Sequence, residues 1–275
     1  GEITFCGAIE MAGWVHMKVS IIKGGMAKYG IKNPIFKPSP IVPTYNERDT
    51  LPVIVARLRE VVPEADLVVL DDNSPDGTGA VADALAASDP QVSVLHRAGK
   101  EGLGAAYLEG FEWALAHGYD AVVEIDADGS HRPEHLPALL AAAADADAVI
   151  GSRWVKGGAV VNWPVHRKAL SLGGNLYVKA LLGMPVNDAT AGFRVYRADA
   201  LRAMGLHDVA SQGYCFQTDL TWRAVRSGLR VVEVPITFVE REVGDSKMSR
   251  AVMTESLRRI TGWGVRHRAM QVRDL

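Results

Sequence analysis

The sequence predicts an α/β protein, a single domain with a mostly parallel sheet flanked by helices. Three observations carry that reading. From residue 41 to about 151, short β-rich runs alternate with alanine-rich stretches of helical length. The runs are nearly continuous in apolar residues, as strands buried on both faces are. Two acidic pairs, Asp71–Asp72 and Asp126–Asp128, fall at the ends of such runs. Open parallel sheets bind their ligands just beyond those carboxyl ends.

The elements follow in order. "IVPTYNE" (41–47) ends an apolar run in a proline turn, and Asn46 is placed to cap a helix that begins near Glu47. That helix covers 48–62. "DLVVLDD" (66–72) is a strand, followed by a turn of Asn, Ser, Pro and Gly and a helix over 76–88. "QVSVLH" (91–96) leads to "HRAGKEGLGAA" (96–106), where Lys100 and spaced glycines precede a helix over 102–117. Such a loop at a helix N-terminus suits a phosphate. "DAVVEID" (120–126) and "DAVIGSR" (147–153) are strands around a helix at 133–145.

After residue 153 the rhythm changes. A helix over 164–182 leads to the irregular "VNDATAGFR" (186–194), then a helix near 216–227 and a strand pair within 229–242. No linker separates this half from the first. Residues 1–40 do not continue the pattern. "IKNPIFKPSP" carries three prolines where a first strand would feed residue 41, and proline is a poor central-strand residue. They are set apart as a leader of unassigned role, such as a fusion or a misplaced start would leave.

Composition excludes several classes. A chain of 275 residues, 48% hydrophobic, has ample material for a core. The formal net charge of −2 argues against a nucleic-acid partner. Cys6 and Cys215 form neither a disulfide framework nor a metal spacing. No run reaches the ~18 apolar residues of a membrane span, and no signal peptide opens the chain.

Asp126–Ala127–Asp128 is the strongest chemical signal. Two carboxylates one residue apart repel each other unless a cation lies between them. Mg2+ characteristically takes one or two carboxylates together with substrate phosphates. Ser130 would add an oxygen, whereas His131 reads as a surface or turn histidine. For Asp71–Asp72, a capped turn and a hydrogen bond to a base or ribose are both open. Arg153, Arg167, Arg194, Arg241 and Lys247 each read singly as solvated charges, but an enzyme with a phosphate acceptor needs several such cations to converge.

"PTYNE", "DDNSPDGT", "K-GLG", "DADGSH-PE", "GSR", "D-TAGFRVYR", "GYCFQ-DL" and "VPITFVERE-G-SKM" occur in this order across residues 41–250. The ordered set resembles the polyprenol (dolichol) phosphate mannose synthases of glycosyltransferase family 2, nearest the actinobacterial type. The resemblance implies a GT-A catalytic domain over 41–250, with a C-terminal region facing acceptor and membrane. It implies inverting transfer of mannose from GDP-mannose to a polyprenyl monophosphate with Mg2+ or Mn2+. By motif position Pro43, Tyr45, Glu47, Asp71, Asp72 and Lys100 would serve the donor nucleotide, with Ala127 beside them. Asp126 and Asp128 would hold the metal, with Ser130 near it. Arg153, Arg167, Arg194, Gln217, Arg241 and Lys247 would handle the diphosphate and the lipid phosphate, with Asp219 lining the acceptor side. A UDP-glucose enzyme of the same architecture and a non-catalytic nucleotide- or lipid-binding module are the alternatives.

The resemblance also implies peripheral attachment to the cytoplasmic face of the plasma membrane, and leaves room for a membrane-spanning partner subunit. The tail over 251–275 reads as its basic amphipathic anchor. Met253, Leu257, Ile260 and Trp263 recur at helical spacing, with a break expected at Gly262 and Gly264. Residues 241–275 carry eight Lys/Arg against four Asp/Glu. Such a helix lies in the interface or packs its apolar side on the sheet.

Overall fold

Three prolines sit in one interior strand of the main sheet. The computed structural model describes residues 36–209, 214–240 and 250–273. Its first strand, β1 (Pro38–Thr44), begins inside the expected leader and is flanked by β2 (Leu67–Asp71) and β4 (Ala121–Glu124). Register explains the tolerance. The Pro38 carbonyl accepts from Asp66 on the β2 side, whereas the Lys37 and Ile41 carbonyls accept from Asp120 and Ile125 on the β4 side. Alternation therefore turns Pro38 and Pro40 toward β2, but the β1–β2 ladder starts only at Ile41. Pro43 turns toward β4, whose ladder with β1 has ended at Ile41. Each missing N–H thus falls outside the ladder it would have served.

The remaining elements are α1 (Leu51–Val61), α2 (Thr78–Ser88), β3 (Val92–His96), α3 (Leu103–Ala116), α4 (Leu136–Ala142), β5 (Ala148–Ser152) and β6 (Ala159–Val161). They are followed by α5 (Val165–Leu182), β7 (Arg194–Arg197), α6 (Ala198–Ala203), α7 (Tyr214–Arg226), β8 (Val231–Pro235), β9 (Thr237–Val239) and α8 (Arg250–Arg273). The main sheet runs β3-β2-β1-β4-β7-β5-β8, parallel except for β7. The two strands expected within 229–242 are present but do not pair with each other. β8 joins β5, and the chain then parts at Ile236 so that β9 pairs with β6 in a separate two-stranded sheet.

Side-chain alternation builds a core on each face. Val42, Val69 and Val123 face a layer with Leu51, Leu58 and Leu139 from α1 and α4. Ile41, Val68, Leu70 and Val122 face Tyr107, Phe111, Phe216 and Leu220 from α3 and α7. Double burial of this kind is what the continuous apolar runs require.

A third cluster lies between α5, α7 and α8 and includes Val178, Leu182, Trp222 and Ile260. Here α8 is one unbroken helix through Gly262 and Gly264. Gly264 is where it crosses α5, since a Cβ there would stand 2.5 Å from Leu181 Cγ. Ile260 is buried, and Trp263 stacks on Trp222 at 5.7 Å. Tyr177 and Thr261 hydroxyls share a hydrogen bond at 2.6 Å, and Arg268 donates to the Ala180 carbonyl. The side expected to meet a bilayer is therefore covered by protein at Ile260 and Trp263. Among the described residues no helix is long and apolar enough to cross a membrane.

Candidate functional site

The loops that leave the carboxyl ends of β1, β2 and β4 lie side by side. The loop after β1 docks on the loop after β2 through backbone donors: Asn46 N to Ser74 Oγ, Glu47 N to Thr78 Oγ1, and Arg48 N to Asp76 Oδ2. Asn46 caps no helix. It adopts φ 60°, and α1 begins only at Leu51. Glu47 instead accepts from the Thr50 hydroxyl at 2.7 Å.

Asp71 and Asp72 part company. Asp71 is turned inward, accepting from Thr44 Oγ1 and from the Ser74 amide and hydroxyl, so it fastens the turn. Asp72 pairs with Arg97, a residue that the sequence reading did not single out. The other nitrogens of Arg97 reach Glu109 (2.7 Å) and Glu101 (3.0 Å) on and before α3. Burial pushes the Asp72 carboxyl up against the opposing pull of Arg97. Lys100 stands 4.0 Å above the Tyr45 ring, so the β1 and β3 loops close this end of the site together.

The second acidic pair is oriented from below. The Tyr107 hydroxyl of α3 donates to Asp126 Oδ1 at 3.1 Å. Asp128 Oδ1 accepts from the Ser130 amide (3.0 Å) and hydroxyl (2.6 Å). Ser130 is buried with its proton given to Asp128, so it supports that carboxylate. Both aspartates keep partial exposure. No cluster of three or more His, Cys, Asp and Glu suited to a metal occurs among the described residues. Two carboxylates without a third protein ligand fit a hard cation that is shared with substrate phosphates.

His131 is a buried residue. It packs on Phe193 and Phe238 (5.5 and 5.2 Å), its Nδ1 lies 3.5 Å from Asp126 Oδ2, and burial holds it down to about 4. Gly192 makes this approach feasible, because a Cβ there would meet His131 Cε1 at 3.3 Å and Asp126 Oδ2 at 3.5 Å.

Beyond His131 the ring of Phe238 continues to Trp163 (5.4 Å), with the Arg153 guanidinium 5.5 Å above it. Here a cavity of about 160 Å³ opens between α5, α7 and α8. Arg153, Trp163 and Arg167 form one end, and Leu170, Val178, Leu257 and Ile260 supply apolar walls. Arg167 stacks on Trp163 at 4.3 Å and pairs with Glu240. Arg153 is held by Asp188, which sequence reading also missed although it heads the segment ending in "TAGFR".

Two expected phosphate contacts lie elsewhere. Arg194 has no exposed surface, and its guanidinium donates to the Ala189, Ala191 and Gln217 carbonyls and to the Tyr196 and Thr221 hydroxyls. It holds the 189–191 segment onto α7. Gln217 is buried and absent from the cavity wall, where its neighbour Thr218 stands instead. Asp219 bonds Arg223 at 2.8 Å. Arg241 and Lys247 lie outside the described residues.

Comparison with known proteins adds independent findings. The profile of the family described as Glycosyl transferase family 2 matches residues 39–205. That of the Acetamidase/Formamidase family matches residues 1–54, overlapping the first in β1 and early α1. An undecaprenyl-phosphate mannosyltransferase of Micrococcus luteus is 57% identical over 82% of this chain and 93% of its own. A polyprenol monophosphomannose synthase of Mycolicibacterium smegmatis is 54% identical over 86% of this chain and 89% of its own. Among solved structures, a mannosyltransferase from Pyrobaculum calidifontis in complex with GDP-Man and Mn2+ superposes with a TM-score of 0.57 at 18% identity, covering 84% of this chain and 64% of that one. Glucosyl-3-phosphoglycerate synthase from Mycobacterium tuberculosis, with Mn2+, UDP-glucose and phosphoglyceric acid, gives 0.63 at 20% identity, with 87% and 85% covered. At those identities the two structures speak for the fold alone.

Proposed function

The chain belongs to glycosyl transferase family 2, and within it to the polyprenol phosphate mannose synthases, which place mannose on a polyprenyl phosphate; from that premise we propose that GDP-mannose is the donor and that the site divides into a nucleotide end and a lipid-phosphate end. The observation that carries this division is the cavity with Arg153 and Arg167 at one end and apolar walls beyond, joined through Phe238 and His131 to Asp126 and Asp128.

At the nucleotide end, Asp72 offers a carboxylate fixed by Arg97, and the Lys100–Tyr45 pair closes over the nucleoside. Pro43 and Glu47 shape the wall of the same loop. Asp126 and Asp128 would hold a divalent cation, Mg2+ or Mn2+, with Ala127 at the bend between them. When bound, the cation supplies positive charge to the departing diphosphate. Tyr107 and Ser130 keep the two carboxylates turned for that task.

At the other end Arg153 and Arg167 receive the phosphate, and the apolar walls receive the first part of the prenyl chain. The attacking oxygen belongs to a phosphate monoester that is already anionic near neutral pH, so a general base adds little. The protein's contribution is positioning and charge. Attack from the side opposite the diphosphate inverts the anomeric centre. Arg241 and Lys247 join this reading by their motif alone.

A lipid acceptor also requires contact with a bilayer surface. Val165, Leu172 and Leu176 are exposed along the outer side of α5, and Leu170 stands exposed at the cavity rim. On this reading the chain works peripherally at the cytoplasmic face of the plasma membrane, with α5 toward the lipid or toward a membrane-spanning partner. Incubation with labelled GDP-mannose or UDP-glucose and a short polyprenyl phosphate tests the whole reading. Label from GDP-mannose in the lipid product is expected; label from UDP-glucose alone overturns the donor, and no lipid product overturns the function.

A further inference from the structure

We propose that Asp188 is the positioning residue of the acceptor end, holding the Arg153 guanidinium against the cavity so that it meets the lipid phosphate in one orientation. The inference rests on the acceptor reading above.

Asp188 has no exposed surface and accepts three hydrogen bonds from Arg153 alone: from the backbone N at 2.9 Å, Nε at 2.8 Å and Nη2 at 2.6 Å. A planar guanidinium held along one edge has lost its rotamer freedom before the ligand arrives, which is the condition for tight and directional phosphate recognition. The carboxylate is itself anchored. Asn175 of α5 and the Thr190 hydroxyl both approach it at 3.4 Å. Glu233 of β8 accepts from the backbone N–H groups of Asn187 and Asp188, each at 2.9 Å. The same short segment reaches the other half of the site at Gly192, which lies against His131 and Asp126. Residues 188–192 are therefore a common floor. They fix the arginine for one substrate relative to the carboxylates for the other.

A purely structural ion pair would tie β5 to this loop and nothing more, and its loss would disturb both substrates alike. Simple charge balance predicts the opposite sign from positioning. Removing the Asp188 charge leaves Arg153 less neutralised, and an anionic acceptor should then bind more tightly. Positioning predicts weaker binding of the acceptor only.

The test is steady-state kinetics of Asp188→Asn, with GDP-mannose and a short polyprenyl phosphate each varied in turn. We expect the acceptor KM to rise about tenfold while the donor KM and GDP affinity by calorimetry stay within about twofold. The effect should largely vanish in an Arg153→Lys background, because Asp188 acts through that arginine. Equal changes for both substrates, or a lower acceptor KM, overturn the inference. If D188N is not recovered folded, Glu233→Gln loosens the same segment from the backbone side. A selective rise in acceptor KM then supports the proposal, and an unchanged acceptor KM overturns it. A wild-type chain that transfers nothing to polyprenyl phosphate overturns the acceptor reading together with this inference. Transfer by wild type with an unaltered D188N overturns the inference alone.

Discussion

Arg194 and Glu124 stand directly opposite each other in the β7–β4 ladder, with Nε 3.9 Å from Oε2 and no exposed surface on either side chain. They do not form a hydrogen-bonded pair. The guanidinium is engaged with backbone carbonyls and hydroxyls, and the Glu124 carboxyl has the Gln217 side chain as its other polar neighbour. Burial pushes Glu124 up to about 8, against the pull of Arg194. A carboxyl two residues before Asp126 is thus largely protonated near neutral pH.

That relationship predicts a pH-dependent stability. The folded state holds the Glu124 proton more tightly than the unfolded chain, whose ordinary value is 4.5. The favourable contribution is therefore complete below 4.5 and is lost as pH rises through about 8. One such group costs at most about 1.4 kcal/mol per pH unit over that window. In metal-free buffer, denaturant unfolding of Glu124→Gln should show a flatter pH profile than wild type between about pH 5 and pH 9. Parallel profiles would remove Glu124 as the source.

Two arginines of the same expected class should behave differently. Arg194→Met leaves several buried acceptors unpaired and should destabilise the fold, at about 1–3 kcal/mol for each acceptor left unsatisfied. Any folded fraction should keep the wild-type KM for polyprenyl phosphate. Arg167→Ala, at the cavity end, should leave the melting temperature within a few degrees and raise the acceptor KM by a larger factor than the donor KM. Kinetics and thermal melts on the two variants decide the matter. A selective acceptor defect in R194M would restore it to the phosphate site.

For the cation, Asp128→Asn should lower turnover at least about a hundredfold while the fold survives, since removing a charge from the pair weakens neutralisation of the departing diphosphate. Chelator treatment of wild type should cause a comparable loss that Mg2+ or Mn2+ reverses. D128N activity within a few-fold of wild type would exclude the carboxylate from metal binding.

The alternating rhythm made β2, β3, β4 and β5 and the helices between them legible, because strands buried on both faces must be apolar throughout. The second half was less so. β7 was hidden since Arg194, a charged residue, begins an interior strand, and the carbonyls of residues 189, 191 and 217 with the Tyr196 and Thr221 hydroxyls make that burial bearable. The β1 prolines argued against a strand until the staggered ladders showed where their missing donors fall. Asp126 and Asp128 were readable as a spaced pair at a strand end. Arg97, Tyr107 and Asp188 were not, for each acts on a residue distant in sequence, and only the fold supplies that neighbour.

The membrane contact also shifts with the fold. Of the two placements open to the C-terminal helix, Ile260 and Trp263 take the packed one, against α5 and α7, so deleting 251–275 would strip cover from that core and test folding instead of docking. Isolated exposed leucines are ordinary on protein surfaces. On α5, however, Val165, Leu172 and Leu176 are 83%, 47% and 68% exposed at spacings of one helix face, beside the cavity that opens at Leu170 and Leu257. Arg258 and Arg266 of the adjoining α8 are exposed as well. An apolar row next to basic residues suits an anionic leaflet, each buried methylene contributing about 0.8 kcal/mol and each nearby cation about 1 kcal/mol. The double substitution Leu172→Glu with Leu176→Glu should therefore lower co-sedimentation with anionic liposomes at least about tenfold. GDP affinity and transfer to a short, detergent-soluble acceptor should stay near wild type. Replacing Arg258 and Arg266 by Gln should instead make the residual liposome binding less sensitive to salt. Undiminished sedimentation of the folded Leu172/Leu176 double variant would remove α5 from the membrane contact.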